Sequence, residues 1–364
     1  MFVRKEVLLA AVVATALALS SCGSSGSTGS NASSGNGGAK KASYNIVLSN
    51  NYMGNEWRPQ MENVAKFVAG AGANKGRVNL DIRNTDATPA AQIQSLQSVI
   101  RQKPDAIMID AASATALNPT LEQACQAGIL VFSFDQVVTA PCAFKLPQDY
   151  TAQATDAVNW LGTQLKGKGN ILMDTGLPGI PLSETYVKVW TQTLKDKYPG
   201  INVVGTFSSQ YAPGPELQGV SALLSRNPQI DGILSGAYIA SDIKALQQAG
   251  RPMVPMTGLD FNGGQRQCAA ENLKCFFIGA PAFVSGMAID SIVKELDKKG
   301  SVPKEAVYFD TNYVSKAGEI EFPHTQKLDT LKAGVNYYPD QSDSLVTPIS
   351  YGDYGLTAAD VLAK

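Results

Sequence analysis

Short apolar segments alternate with amphipathic helical segments along most of the chain, over residues 44–258. The first apolar segment, residues 44–49, is rich in strand formers, and a polar loop separates it from a helical pattern that begins near Pro59. Strands that alternate with helices of about 10 to 15 residues are typical of right-handed crossovers and a parallel sheet. The sequence therefore predicts an α/β fold.

The alternation runs through two successive series, which predicts two doubly wound parallel-sheet lobes. We place the N-lobe at residues 44–147 and the C-lobe at residues 148–280, with the boundary near residues 144–148. Roughly 320 residues follow the N-terminal region, enough for two domains with a core each.

The N-terminus has the features of an export signal with a lipid-attachment site. Arg4 and Lys5 precede an apolar run that closes on Leu19-Ser20-Ser21-Cys22. A transmembrane anchor is the alternative, but about thirteen apolar residues cannot cross a hydrocarbon core of roughly 30 Å as a helix. We therefore expect a signal peptide over residues 1–21, a lipidated Cys22, and a flexible Gly/Ser/Asn-rich tether over residues 22–43 that holds the protein to the outer face of the cell membrane.

Charge and composition exclude several function classes. Lys and Arg total 30 against 31 for Asp and Glu, so the chain lacks the basic footprint of a nucleic-acid-binding protein. A nucleophile elbow, a histidine-rich metal cluster and a phosphate-cradling glycine loop are all missing from the sequence. We expect no enzymatic activity, no cofactor and no metal, and the single histidine, His324, is interpreted as a solvated loop residue.

Four cysteines remain when Cys22 is set aside. They fall into two local pairs, Cys125 with Cys142 and Cys268 with Cys275. An even number in an exported chain favours disulfides, and three connectivities are possible. Proximity in sequence favours the local pairing without proving it.

Polar and aromatic residues follow the predicted strands, where doubly wound folds bind ligands. Amides and carboxylates beside aromatic rings suit a neutral polyhydroxyl ligand, because a sugar has apolar C–H faces and a rim of hydroxyls. The candidate ligand-binding residues are Asn51, Tyr52, Asn55, Trp57, Arg58, Asp86, Asp135, Gln136, Tyr186, Tyr211, Tyr238, Asp260 and Asn262.

Structural roles compete with ligand binding at several of these positions. Asp86 precedes Thr88-Pro89, so it could bind ligand or serve merely as a helix cap. Trp190, on the same predicted helix as Tyr186, is interpreted as a core residue. Trp57 lies in a polar Gly-Asn-Glu-Trp-Arg segment, which favours ligand stacking, and Asp135 after an apolar strand is the strongest single candidate.

Two segments carry a resemblance to a known family. Gly128-Ile129-Leu130-Val131-Phe132-Ser133-Phe134-Asp135 resembles the "GIPVITLD" element of periplasmic sugar-binding proteins of the ribose, galactose and xylose type. Val254-Pro255-Met256-Thr257-Gly258-Leu259-Asp260 resembles the "VVGFD" element of the same proteins. The resemblance covers residues 44 to about 300 and implies that both aspartates bind sugar hydroxyls.

The resemblance also implies an architecture and a partner. Members of this family have two lobes joined by a three-strand hinge that closes over ligand, and they deliver it to the membrane permease of an ATP-binding cassette importer. On this basis residues 281–310 return to the N-lobe, and residues 311–364 form a C-terminal extension over the hinge or lobes. We expect a monomer.

The sequence departs from the family pattern in the C-lobe. Tyr186 stands where an arginine is common, and Ser235-Gly236-Ala237-Tyr238 replaces a common Asn-Asp pair. Fewer hydroxyl-binding groups leave room for a deoxy sugar, a polyol or a less polar ring. A sensory protein that presents ligand to a membrane receptor or kinase is the alternative function, as is the binding of a non-sugar polar solute.

Overall fold

The computed structural model describes residues 43–306, 313–315, 329–349 and 352–363. The predicted signal peptide, Cys22, nearly all of the tether and His324 lie outside the described residues. Within the described residues, no helix combines the length and the apolar character needed to cross a membrane.

The N-lobe is built on a five-stranded parallel sheet with the strand order β2-β1-β3-β4-β5. Its strands are β1 (Tyr44–Asn50), β2 (Val78–Asn84), β3 (Ala106–Asp110), β4 (Leu130–Asp135) and β5 (Phe144–Pro147). Its helices are α1 (Trp57–Gly70), α2 (Pro89–Gln102) and α3 (Asn118–Gln126). The predicted alternation of strands and helices is confirmed here.

Helix α2 shows how local sequence sets these elements. Pro89 occupies the first turn, where its missing N–H costs nothing, and the Thr88 hydroxyl accepts a hydrogen bond from the Ala91 N–H. Leu96 and Val99 lie on the buried face of the helix against the sheet. The predicted start of this helix at Thr88-Pro89 is confirmed.

One helix start and one strand differ from the sequence prediction. Helix α1 begins at Trp57 rather than near Pro59, because the Asn55 Oδ1 accepts a hydrogen bond from the Arg58 N–H and supports an earlier first turn. Near the predicted lobe boundary, the chain forms the edge strand β5, which pairs in parallel with β4 and was not predicted as a strand. A four-residue strand is too short to show periodicity.

The C-lobe sheet has five parallel strands in the order β7-β6-β8-β9-β10. These strands are β6 (Lys168–Asp174), β7 (Gly200–Phe207), β8 (Gly232–Leu234), β9 (Met256–Leu259) and β10 (Cys275–Ile278). The helices of this region are α4 (Tyr150–Gln164), α5 (Pro181–Lys197), α6 (Pro213–Leu224), α7 (Ile239–Gln248) and α8 (Asn262–Ala270). Both lobes are therefore doubly wound α/β units, as predicted.

The chain returns to the N-lobe after β10. Helix α9 (Val284–Asp297) packs on α1, and the Ser285 hydroxyl donates a hydrogen bond to the Met61 carbonyl at 2.7 Å. Ile289 and Ile292 are fully buried in the core that this packing creates.

The C-terminal extension contacts both lobes. Strands β11 (Tyr313–Val314) and β12 (Asp329–Thr330) extend the C-lobe sheet, with β11 antiparallel to β10. Helix α10 (Ala358–Val361) lies against the N-lobe, where Asn63 donates to the Val361 carbonyl at 2.9 Å. Between them, Gln60 of α1 donates to the Ser344 carbonyl and accepts from the Val346 N–H at 2.8 Å.

Both disulfides are present in the local pairing. Cys125 bonds Cys142 in the N-lobe, and Cys268 bonds Cys275 in the C-lobe. Each closes a short loop beside a buried strand, which is consistent with a structural role.

Candidate functional site

A cavity lies where the carboxyl ends of the strands of the two lobes face each other. It contains about 640 Å³ of space between atoms, including open solvent, of which about 50 Å³ can hold the centre of a water molecule. Its lining comprises Asn51, Tyr52, Asn55, Trp57, Arg58, Asp135, Gln136, Gln148, Tyr150, Gln153, Leu177, Ile180, Leu182, Tyr186, Tyr211, Leu259, Phe261 and Ala280. The N-lobe residues follow β1 and β4, and most of the others follow C-lobe strands, as expected for doubly wound sheets.

The structure brings most of the predicted site residues together in this cavity. Those in the lining are Asn51, Tyr52, Asn55, Trp57, Arg58, Asp135, Gln136, Tyr186 and Tyr211. The remaining candidates, Asp86, Tyr238, Asp260 and Asn262, lie outside the lining.

Asp86 occupies the surface at the start of α2. Its Oδ1 accepts hydrogen bonds from the Thr88 N–H at 3.2 Å and the Thr88 hydroxyl at 2.7 Å. Both bonds favour the carboxylate and lower the pKa of Asp86. The Asp86 carboxylate thus bonds Thr88, which is the N-cap residue of α2, and it lies outside the cavity lining.

Asp260 and Asn262 hold neighbouring backbone in place. Asp260 accepts a hydrogen bond from the Ala280 N–H at 3.0 Å, which fixes the segment after β10. Asn262 donates to the carbonyls of Tyr338 and Ser342 and accepts from the Tyr338 N–H. The sequence could not indicate this, because the carbonyls that Asn262 binds come from the C-terminal extension.

Tyr238 lies beside the cavity rather than in its lining. Its ring stacks on Phe261, which does line the cavity, with centroids 4.3 Å apart. Its hydroxyl accepts a hydrogen bond from the Glu56 N–H at 3.4 Å and so joins the C-lobe to the N-lobe.

Arg58 is the buried cation on the N-lobe side. It is 4% exposed and forms an ion pair with Asp110 at the end of β3. The distance from Arg58 Nη2 to Asp135 Oδ2 is 3.9 Å. The Asn50 side chain also accepts from Arg58 Nη1 at 3.1 Å. Because a buried guanidinium requires compensation, these partners fix its position at the cavity wall.

Asp135 accepts hydrogen bonds from two neighbouring residues on the polar side of the cavity. Its Oδ1 accepts from the Tyr150 hydroxyl at 2.8 Å and from Gln148 Nε2 at 3.2 Å. Its backbone has a φ of 53°, a left-handed conformation that Asp tolerates better than most residues. Burial raises the pKa of Asp135, although Arg58 and the Tyr150 hydroxyl oppose that shift by favouring the carboxylate.

A chain of hydrogen bonds extends this polar side toward the C-lobe. Tyr186 donates to Gln153 Oε1 at 3.0 Å, and Gln153 Nε2 donates to Gln148 Oε1 at 3.0 Å and to the Gly279 carbonyl. Gln148, Tyr150 and Gln153 are site residues that the sequence reasoning missed. Their position directly after the predicted lobe boundary was the available signal.

Trp57 and Tyr211 stand on opposite lobes of the cavity. The Trp57 indole N–H donates to the Ala280 carbonyl at 2.7 Å, a second bond between the lobes, and the Arg58 guanidinium lies 5.1 Å from the ring centroid. The Tyr211 hydroxyl lies 3.1 Å from Ser183 Oγ. Trp190, by contrast, is 1% exposed in the core, as interpreted from the sequence.

Gly176 makes the close approach of the Tyr211 wall possible. Its φ is 62°, and an added Cβ would collide with Ser183 Oγ and come within 2.7 Å of Tyr211 Oη. Only glycine adopts this conformation and fits this space without strain.

A cluster of buried carboxyls lies behind the C-lobe side of the cavity. Asp174 accepts from the N–H groups of Gly176 and Ser209, and Glu216 accepts from the Ser235 hydroxyl and the Tyr238 N–H. These bonds hold the loops that carry the C-lobe lining.

The same cluster carries raised pKa values. Burial raises the pKa of Glu216 to about 8, with a further contribution from Asp174. Burial and the neighbouring Glu216 raise the pKa of Asp242 well above its usual range. Burial and the proximity of these carboxyls thus favour their protonated forms.

Comparisons with known proteins agree with this geometry. Residues 46–300 match the profile of the periplasmic binding protein domain. The xylitol-binding protein of Mycolicibacterium smegmatis is 28% identical over 257 residues, which are 69% of each chain.

Solved structures share the fold. An ABC transporter solute-binding protein from Thermobispora bispora superposes with a TM-score of 0.67 at 24% identity, over 73% of this chain and 83% of that one. The periplasmic binding protein of the arabinose ABC transporter from Shewanella sp. ANA-3 gives 0.67 at 17% identity, over 74% and 91%.

The matched profile spans both sheets and the returning helix α9, and it brackets every residue of the cavity lining. Proteins of this kind are extracytoplasmic binders of solutes rather than enzymes. The family resemblance found in the sequence is confirmed: the chain belongs to the periplasmic binding protein family and has its type I fold of two parallel-sheet lobes.

Proposed function

We propose that the protein captures a small sugar or polyol in the cavity between its lobes and delivers it to an ATP-driven importer. The observation that carries this proposal is the cavity itself, in which amides, a carboxylate, a guanidinium and aromatic rings from both lobes converge within one small space. That combination matches the needs of a neutral polyhydroxyl ligand. The xylitol-binding relative supports the same ligand class.

Hinge closure is the proposed mechanism. Trp57 bonds the Ala280 carbonyl and the Glu56 N–H bonds Tyr238, so contacts between the lobes are available in the closed arrangement. A ligand favours closure only through contacts that improve in that state. Residues that reach the cavity from both lobes, such as Asp135 and Tyr211, meet that condition.

A ligand screen tests this proposal. Residues 41–364 form one compact unit, so a soluble form that starts at Ser43 retains the described fold. A ligand present at about 100 times its Kd stabilises the folded state by about 2.7 kcal/mol, which a thermal-shift assay detects as a rise of several degrees. Pentoses, hexoses, deoxy sugars and polyols should include a stabilising class, whereas a flat response to all of them, or a shift only with amino acids, would contradict the proposal.

Anchoring through Cys22 is part of the same proposal. A lipidated cysteine at the end of the signal peptide would keep the binding protein near its permease. Cys22→Ser should release the protein from the membrane fraction into the medium. Unchanged membrane association in that variant would contradict the lipid anchor.

A ligand-presenting sensory protein needs the same cavity and the same closure. Co-purification from detergent extracts separates the two roles, because an importer component should retain its permease and a sensory protein should retain a receptor or kinase. We propose the importer role, in line with the transporter components that share the fold.

A further inference from the structure

The two sides of the cavity differ in chemical character. The N-lobe residues in the lining are polar, charged or aromatic: Asn51, Tyr52, Asn55, Trp57, Arg58, Asp135 and Gln136. The C-lobe supplies four aliphatic side chains, Leu177, Ile180, Leu182 and Leu259, beside Gln148, Tyr150, Gln153, Tyr186, Tyr211, Phe261 and Ala280. A ligand held between the lobes therefore meets leucine and isoleucine side chains on the C-lobe side alone.

Hydrogen-bonding capacity is divided in the same way. Asn51 Oδ1, Arg58 Nε and Gln136 Oε1 are buried side-chain atoms without a hydrogen-bond partner, and all three belong to N-lobe residues of the lining. They comprise two acceptors and one donor, the combination that a pair of neighbouring hydroxyls can satisfy.

The hydroxyls on the C-lobe side already have partners. Tyr186 donates to Gln153, and the Tyr211 hydroxyl is bonded to Ser183. Tyr150 and Gln153, at the start of α4, are bonded to Asp135 and Gln148. A ligand hydroxyl directed at the leucines would therefore lose its bonds to water without gaining replacements.

We infer that the ligand is amphipathic: a deoxy sugar whose hydroxyls contact the N-lobe and whose methyl-bearing edge contacts Leu177, Ile180, Leu182 and Leu259 of the C-lobe. This inference rests on the proposed function and narrows it from sugars and polyols in general to 6-deoxyhexoses. The N-lobe contributes three unpartnered polar atoms, and the C-lobe contributes the aliphatic side chains. Together they favour a ligand that has one polar edge and one apolar edge.

The expected selectivity follows from the wall. A hydrophobic site rejects a ligand that merely adds a hydroxyl by roughly 10- to 100-fold. Each 6-deoxyhexose differs from its parent hexose by that one hydroxyl, so the affinity ratio within a pair measures the character of the wall. The best 6-deoxyhexose should bind at least about tenfold tighter than its parent.

Calorimetric titration of the form that starts at Ser43 tests this with three pairs: D-fucose and D-galactose, L-fucose and L-galactose, and L-rhamnose and L-mannose. One 6-deoxy sugar that binds tighter than its parent and tighter than xylitol supports the inference. The inference of a 6-deoxyhexose ligand would be overturned if the parent hexoses bound as tightly as their deoxy forms, or if xylitol bound tightest. Either result would leave the proposed function standing. Absence of binding to every sugar and polyol would overturn both.

A matched pair of variants locates the apolar edge. Leu182 lies half-buried in the first turn of α5, where a polar residue is tolerated, and Leu182→Asn should bring the ratio within the pair close to one. Val203→Asn makes the same kind of change at a C-lobe side chain that is 40% exposed and outside the lining, and it should leave the ratio unchanged. An unchanged ratio in Leu182→Asn would overturn the assignment of the apolar edge to this wall.

Discussion

The two walls of the cavity are built by different means. On the N-lobe wall, Arg58 and Asp135 are buried beside amide groups that retain unpartnered atoms. On the C-lobe wall, aliphatic side chains line part of the space, and the Tyr186 and Tyr211 hydroxyls already have partners. The N-lobe wall therefore keeps hydrogen-bonding atoms for a ligand, whereas the C-lobe wall offers mainly shape and hydrocarbon.

The largest effect is expected where the N-lobe wall depends on one cation. Arg58→Ala leaves the Asp110 and Asp135 carboxylates buried without their guanidinium, and removal of one partner of a buried pair costs about 3–5 kcal/mol. Urea denaturation should show a loss of that size together with a loss of ligand binding. Arg83→Ala, at an exposed pair with Asp81, is the control and should change the free energy of unfolding by less than about 1 kcal/mol. Equal losses in the two variants would break the comparison.

The next effect concerns the carboxyl cluster behind the C-lobe wall. The folded-state pKa of Glu216, about 8, lies above its unfolded value of 4.5, so the folded state binds the extra proton between these pH values. The stabilising contribution of Glu216 is therefore complete below about pH 4.5. It is lost as the pH rises from there through 8, and the loss is at most about 1.4 kcal/mol for each unit of pKa difference.

Glu216→Gln tests this sign. The amide cannot ionise, so the melting temperature of the variant should fall less between pH 5 and pH 8 than that of the parent protein. Asp242 carries a raised pKa as well and keeps part of the slope in the variant. Identical pH profiles for the two proteins would show that the pKa of Glu216 is not raised in the folded state.

A third prediction separates binding from stability on the N-lobe wall. Gln136→Met removes a buried acceptor that has no partner, so the unliganded protein should keep its stability or gain up to about 1–3 kcal/mol. Ligand affinity should fall about tenfold, because the variant cannot accept from a hydroxyl. Calorimetry and urea denaturation measure the two quantities. A variant that loses stability and keeps its affinity would show that Gln136 is structural.

The smallest effect is expected for a bonded hydroxyl of the C-lobe wall. Ser183→Ala removes a contact with the Tyr211 hydroxyl and an acceptor for the Leu177 N–H, which should cost about 1 kcal/mol of stability. Affinity should change less than in Gln136→Met, since the Ser183 side chain acts on the wall and not on the ligand. A larger loss of affinity than in Gln136→Met would place ligand hydroxyls on the C-lobe side.

The sequence predicted those cavity residues that lie at or just after the carboxyl ends of strands. Asp135 directly follows an apolar strand, and Trp57 follows the first predicted strand, so the rule for doubly wound sheets pointed to both. Tyr150 and Gln153 were missed, because the rule for strand ends does not select the first turn of α4; their position next to the predicted lobe boundary was the one available signal. Asp86 was open between a cap and a ligand contact, since both uses place a carboxylate before a helix.

Two C-lobe residues show the same limit of prediction from sequence, since they were predicted to contact ligand but lie outside the cavity lining. Asp260 comes directly after β9, much as Asp135 ends β4, yet Asp260 lies outside the cavity lining and has the Ala280 N–H as a partner. Asn262 holds the extension through Tyr338, a residue 76 positions away in the chain. A contact at that separation leaves no trace in local pattern.

Local sequence was enough to predict the two series of strands and helices and the strand ends where a site was expected. These features depend on periodicity and capping, which act over a few residues. Proximity favoured the local pairing of the four cysteines but left three connectivities open, and the tertiary structure selected one of them. The aliphatic part of the C-lobe wall and the burial of Glu216 beside Asp242 likewise depend on the tertiary structure. Those features require side chains from distant strands to meet, and the free energy of such meetings is set by burial and partners that no local segment contains.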